Sequence, residues 1–256
     1  MPLRLAVRLI KPIIACCLLF SLNPPRAFAE GPAPINTERP SFSASPLVLP
    51  AGYWQIETGY QFTRDKDDPS FKQHKPLMLI RYGFHESLEL QLGNINYVWQ
   101  QTDELKENGS QDPSLEVKWQ VNSADSIVPV GLYGAASLPI SNSSFSSGQY
   151  DPSIGVLWTH SSALEWFGAA RLAHSNDLLT FDNAIGIKFA FLGNGSSFVE
   201  YLGTFHEDNN VISSHNLNLG MTWRLTHNLQ LDINGGLGLN TQAHDYYTGM
   251  GISYRF

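Results

Sequence analysis

The sequence predicts an all-β fold, a transmembrane antiparallel up-and-down β-barrel of about 12 strands, within a range of ten to fourteen. Three observations carry this. Apolar and polar residues alternate with period two from Tyr53 to Phe256, interrupted at intervals by turn-rich stretches. One parity of each strand carries no charge, whereas the other carries thirteen charged residues. Charged residues make up only 15% of the 256-residue chain and aromatics 12%, against about 25% charged in soluble domains.

The elements follow in chain order. Arg4, Arg8 and Lys11 precede a mostly apolar run from Ile13 to Leu22, which is too short to span a bilayer. Ala27-Phe28-Ala29 is a small-x-small site, so residues 1–29 read as an export signal cleaved after Ala29. Cys16 and Cys17 both lie within it, so no disulfide, thiolate nucleophile or cysteine metal site is expected in the mature chain. Ile13-Ile14-Ala15-Cys16 resembles a lipoprotein box, but the apolar run continues past Cys16. Removing residues 1–29 takes four of the 16 bases and none of the 23 acids, which leaves a net charge of −11. That acidity disfavours nucleic acid as a partner.

Residues 30–52 are rich in Pro and Ser, and Pro32, Pro34, Pro40, Pro46 and Pro50 exclude regular structure. This leader is expected either to lie in the periplasm or to fold back as a plug, with Glu38, Arg39 and Phe42 as its candidate lumen contacts. Residues 53–256 form the barrel. Strands are predicted at 53–64, 75–84, 88–99, 114–121, 127–138, 150–159, 164–174, 179–191, 197–206, 214–225, 229–239 and 245–256. Their uncharged parity reads, for example, Trp54-Ile56-Thr58-Tyr60-Phe62 in the first strand, Leu115-Val117-Trp119-Val121 in the fourth and Leu217-Leu219-Met221-Trp223-Leu225 in the tenth. A soluble barrel would have to pack these bulky side chains inside. A membrane barrel turns them to lipid and the charges to the lumen. Compact turns at 85–87, 122–126, 160–163, 193–196 and 226–228 alternate with longer connections such as 65–74, 100–113 and 139–149. That alternation fits both termini on the periplasmic side.

The lumen-lining candidates are Glu57, Arg81, Glu89, Glu116, Lys118, Glu165, Arg171, Asp182, Lys188, Glu200, Arg224, Asp232 and Arg255. The closing run Met250 to Phe256 alternates and ends on Tyr254-Arg255-Phe256, which resembles the C-terminal assembly signal of Gram-negative outer-membrane barrels. That resemblance implies the barrel-assembly machinery and outer-membrane lipids as partners.

Asn36-Thr37-Glu38-Arg39-Pro40, Ser45-Pro46 and Leu49-Pro50-Ala51-Gly52-Tyr53-Trp54-Gln55-Ile56-Glu57-Thr58-Gly59 resemble the N-terminal pattern of a barrel family. It is labelled transporter, or MetA-pathway of phenol degradation, and runs T-D-R-P, S-P, V-x-x-G-x-x-Q-x-E-x-G. Glu38 stands where the family has Asp. Arg81-Tyr82-Gly83-Phe84 with Leu88-Glu89-Leu90, and Asp151-Pro152, resemble it as well. The resemblance implies an outer-membrane channel for small, often aromatic, molecules.

Catalytic and metal chemistry find little support. The eight His include no H-E-x-x-H and no i, i+4 helical pair, so neither metal nor cofactor is expected. His174-Ser175-Asn176 invites comparison with the outer-membrane phospholipase, but adjacent residues point in different directions and cannot form a triad. The acidic run Asp65 to Pro69 lacks the spacing of a calcium loop. The leading expectation is passive passage of a small solute, hydrophobic or aromatic, through a narrow charge-lined lumen. The alternatives are a non-conducting structural or surface-interaction barrel and an outer-membrane lipid hydrolase.

Overall fold

The computed structural model describes residues 32–66, 70–141, 144–162, 164–191, 193–208 and 211–256. The predicted signal, its cleavage site at Ala29 and Asp67 to Pro69 of the acidic run lie outside these residues. The described strands are β1 (Trp54–Asp65), β2 (Phe71–His85), β3 (Leu88–Gly93), β4 (Tyr97–Thr102), β5 (Lys106–Ser110), β6 (Ser114–Gln120), β7 (Val130–Ser137), β8 (Pro152–His160), β9 (Glu165–Ser175), β10 (Leu178–Phe191), β11 (Gly195–His206), β12 (Ser214–Thr226), β13 (Leu229–Gly238) and β14 (Tyr246–Arg255). Twelve of them close an antiparallel barrel in chain order, and β1 seals it by pairing with both β2 and β14.

The predicted strand 88–99 is two elements. The chain leaves the wall at Asn94, whose φ of 52° breaks the extended backbone. It re-enters as β4, which pairs with the start of β2 and with β5 to form a hairpin beyond the barrel wall. Each piece alternates by itself, but the phase slips between Leu92 and Tyr97. Consequently, β2 between Lys75 and Leu79 pairs only with β1. Pro76, which has no N–H to donate, sits in this one-sided stretch, where a central strand would not tolerate it.

The barrel is inverted relative to a soluble fold. Trp119, Ile154 and Met250 on the uncharged parity are 47%, 63% and 63% exposed, whereas Glu57, Arg81 and Glu200 on the other parity are fully buried. Lipid replaces water outside, and closed pairing satisfies the backbone that lipid cannot. Aromatic pairs on the outer face, such as Trp54 with Tyr82 and Phe181 with Phe205, suit the interfacial girdles of such barrels.

The β9–β10 connection shows why loop length alone misleads. Asn176 and Asp177 have φ of 50° and 60°, which matches the two-residue hairpin turn that Asn and Asp tolerate, so a long-loop rim carries one tight turn. On the lumen side of the wall, four inward aromatics each lie against the glycine they pair with on the neighbouring strand. An added Cβ would stand 2.5 Å from the Tyr133 ring at Gly155, 2.4 Å from Phe167 at Gly186, 2.3 Å from Phe198 at Gly220 and 2.1 Å from Tyr247 at Gly236. Rings lying flat on glycine leave the interior wider than rings standing upright would.

Candidate functional site

The leader occupies one half of the lumen. Ile35 enters at the short-turn rim, where its N–H donates to the carbonyl of His227 at 2.8 Å. Being Pro-rich and extended, the segment has no ladder to satisfy its backbone, and the wall supplies acceptors instead. Glu38 and Arg39 N–H donate to the Glu57 carboxylate at 3.1 and 3.0 Å. Phe42 and Ser43 N–H donate to Glu200 at 2.8 Å each. Leu49 N–H donates to Glu89 at 2.6 Å. The chain then turns into β1, with Gly52 N–H donating to the Gly83 carbonyl at 2.8 Å.

Room for the leader comes from inward-facing glycines. A Cβ at Gly83 would lie 2.1 Å from the Pro50 carbonyl oxygen, and one at Gly131 would lie 2.7 Å from that of Pro46. At Gly59 and Gly251 it would meet the Arg39 side chain at 2.6 and 2.4 Å. The Arg39 guanidinium fills that slot and bonds Asp232 at 2.9 Å.

A charge network binds leader to wall. Arg81 contacts Glu38 at 2.9 Å, Glu57 at 2.8 Å and Glu89 at 2.6 Å. Lys118 pairs with Glu38, donates to the Ser45 carbonyl at 3.2 Å and stands 3.8 Å from Glu89. All four wall residues are fully buried. Each neutralises or hydrogen-bonds another, which is what burial of charge requires.

The other predicted residues fall elsewhere along the lumen. Arg171 bonds Asp182 at 2.7 Å, Asp182 also accepts from Thr204 Oγ1 at 2.7 Å, and the Arg171 guanidinium lies 5.1 Å from the Phe42 ring centroid. Glu165 and Lys188, opposite each other on β9 and β10, pair at 3.0 Å and are part-exposed. Arg224 donates to Asn194, and Arg255 donates to Asn228 and lies 5.6 Å from the Tyr53 ring centroid. Glu116 alone of the thirteen has neither a side-chain hydrogen bond nor an ion pair among the described residues, and Tyr133, which the charge pattern does not mark, stands on the neighbouring strand. Tyr254 and Phe256 face outward, with Phe256 N–H donating to the Trp54 carbonyl at 2.9 Å.

Between the leader and the long-loop rim lies a cavity of about 510 Å³. Phe42, Ala44, Glu116, Tyr133, Arg171 and Leu157 are among its walls. Lys118 and Tyr133, and Glu116 and Ala135, face each other across β6 and β7, so the cavity opens where the wall changes from large charged to small side chains. His174 also lines it, yet no side-chain hydrogen bond joins His174, Ser175 and Asn176, which end β9 and open its turn. Among the described residues no three His, Cys, Asp or Glu are grouped to hold a metal. Near the rim, Asp65 instead accepts from the Asp245 N–H at 2.7 Å and bonds His244 at 2.8 Å.

The comparisons with known proteins agree with this architecture. The COG4313 outer membrane channel from Pseudomonas putida F1 superposes with a TM-score of 0.64 at 13% identity, covering 82% of this chain and 98% of that one. KdgM porin follows at 0.52 and 14% identity, covering 79% and 99% of the respective chains. The translocator domain of autotransporter NalP from Neisseria meningitidis gives 0.51 at 10% identity, covering 81% and 90%. These likenesses show the fold of outer-membrane barrels. No curated protein matches the chain by sequence. A family model described as "Putative MetA-pathway of phenol degradation" matches residues 37–256, from the leader through the last strand, and the chain belongs to that family.

Proposed function

We propose that this protein is an outer-membrane channel through which a small, hydrophobic or aromatic solute passes passively, with the leader as its gate. The observation that carries the reading is the seating of the leader. Its backbone N–H groups are satisfied by luminal carboxylates rather than by a ladder, so the segment can leave the lumen without unzipping any strand. Water can take over as its hydrogen-bond partner. Family membership and the channel and porin folds it superposes on support the same reading. The chain reaches the membrane after export, with cleavage near Ala29, and the short turns face the periplasm.

A reversible lock tests the gate. Gln230 Nε2 donates to Thr37 Oγ1 at 2.7 Å across wall and leader, and replacing both residues by Cys allows a reducible disulfide cross-link in a mature chain that has no other cysteine. The measurement is flux of an aromatic probe into liposomes carrying the refolded protein. We expect flux in the reduced form, little in the oxidised form and recovery with a reductant. Equal flux in both forms would remove the leader as gate, and no flux in either, from a heat-modifiable folded band, would remove the channel.

A further inference from the structure

Several polar groups around the cavity above the leader have no hydrogen-bond partner. The Glu116 carboxylate faces it with no partner, and Tyr133 lines it with its hydroxyl unbonded among the described residues. Glu38 Oε2 and Asp151 Oδ1, from two further cavity residues, are buried without a hydrogen-bond partner. Such acceptors carry a desolvation cost unless something donates to them.

Charge points the same way. The adjoining network sets three carboxylates, Glu38, Glu57 and Glu89, against two cations, Arg81 and Lys118. Lys118, two residues along the same strand from Glu116, spends its ammonium on Glu38, Ser45 and Glu89. Arg171 and Arg39, the cations lining the cavity, are held by Asp182 and Asp232. Glu116 therefore adds a second uncompensated negative charge at the cavity wall. The apolar part of the lining is formed by Phe42, Leu77, Leu79, Ala135, Leu157 and Ala169, whereas Gln91, Asn96, Ser114, Ser137 and Ser153 are among its neutral polar residues. Small side chains on β7 and β9 provide the space.

We propose that this cavity binds a solute with an apolar or aromatic body and a protonated amine, and that Glu116 is the counter-charge. The ammonium donates to Glu116, while the body rests on Leu77, Leu79 and Phe42. The inference rests on the channel reading and narrows its solute class.

The test uses the full mature chain in lipid nanodiscs, with empty nanodiscs as baseline. Calorimetry compares 2-phenylethylamine, 2-phenylethanol and phenylacetate at neutral pH. They share one body, with a positive, neutral or negative end. We expect the amine to bind at least about tenfold more tightly than the alcohol, the order of one charge-assisted hydrogen bond, and phenylacetate to bind least. Glu116→Gln should erase the preference for the amine, bringing its affinity to that of the alcohol. Glu116→Asp should retain it, and Glu165→Gln, near the other rim, should not alter it. Equal binding of amine and alcohol by the wild type overturns the proposal, and that comparison needs no variant to fold. So does an undiminished preference in Glu116→Gln. Liposome flux separates the two readings. Glu116-dependent amine binding without flux upholds the site and removes the channel. Flux without amine preference upholds the channel and removes the site.

Discussion

The two halves of the lumen use the same residue types for opposite ends. In the half that holds the leader, each charge is spent. Arg81 touches three carboxylates, Glu200 takes two peptide N–H groups and an Asn218 amide, and glycines clear the space between. In the half above it, Glu116 has no partner, Arg171 is 36% exposed and the wall is built of small side chains around open volume. A network in which each charged group has a partner holds a segment in place, whereas an unpartnered carboxylate facing a cavity is left for a ligand. The difference lies in pairing rather than composition, so variants that unpair the first half should act far more strongly than those in the second.

The largest effect is expected for Arg81→Ala. It leaves Glu38, Glu57 and Glu89 without their shared cation in a fully buried setting. Removing one member of a buried ionic network costs about 3–5 kcal/mol. A lower urea midpoint of the heat-modifiable band should report it. Arg171→Ala should cost much less, because Arg171 is part-exposed and Asp182 keeps its bond from Thr204. Equal losses from the two would erase the distinction between the halves.

Next comes Gly83→Ala. A Cβ there would stand 2.1 Å from the Pro50 carbonyl oxygen, a backbone atom that cannot swing aside, so the end of the leader must shift. Overpacking of this kind costs about 1–3 kcal/mol. Gly134→Ala is the matched control, since nothing lies within 4 Å of its added Cβ. Protease cleavage within the leader should rise in the first variant and stay unchanged in the second.

Glu200→Ala should act at a similar or smaller scale. It orphans the Phe42 and Ser43 N–H groups at the inner end of the leader, at about 1–3 kcal/mol if they stay buried. Departure of the segment relieves that cost, so planar-bilayer conductance should increase while the barrel band stays folded. An unchanged conductance would place the gating contacts elsewhere, at Glu57 or Asp232.

The sequence displayed the barrel plainly and its interior only in outline. Charge parity is a one-dimensional signal, so the inward and outward faces of all twelve wall strands could be read from alternation. The break at Asn94 shows only as a slip of phase: Tyr97 and Trp99 fall on the opposite parity from Leu88, Leu90 and Leu92, and they belong to a hairpin outside the wall. Which charges meet depends on register, a property of paired strands. Asp182 faces Arg171 and Lys188 faces Glu165 only once β9 and β10 align. Glu116 read like its twelve companions until alignment left it opposite Ala135. One signal was available and unused: Gly59, Gly83, Gly131 and Gly251 all fall on the charged parity, where a missing side chain means that something else fills the lumen.

The smallest predicted effect lies outside both halves, at the long-loop rim, and shows how local a rim contact is. Burial pushes the Asp112 carboxyl up, but hydrogen bonds from Ser146 Oγ at 2.6 Å and the Ser141 N–H at 2.9 Å outweigh it, so the group sits below the ordinary carboxylate range. A carboxyl lowered in the folded state contributes stability that is complete above the unfolded value of about 4 and disappears as pH falls through the folded one. Hydrogen exchange at Ser141 should therefore be slow near neutrality and accelerate severalfold, beyond its intrinsic acid dependence, below about pH 4. Asp112→Asn should exchange faster at neutral pH and lose the extra acceleration. Because neither group touches the leader, flux through the channel near neutrality should not follow this variant. A change in neutral-pH flux in Asp112→Asn would tie the loop at 138–151 to the gate and extend the site beyond the lumen.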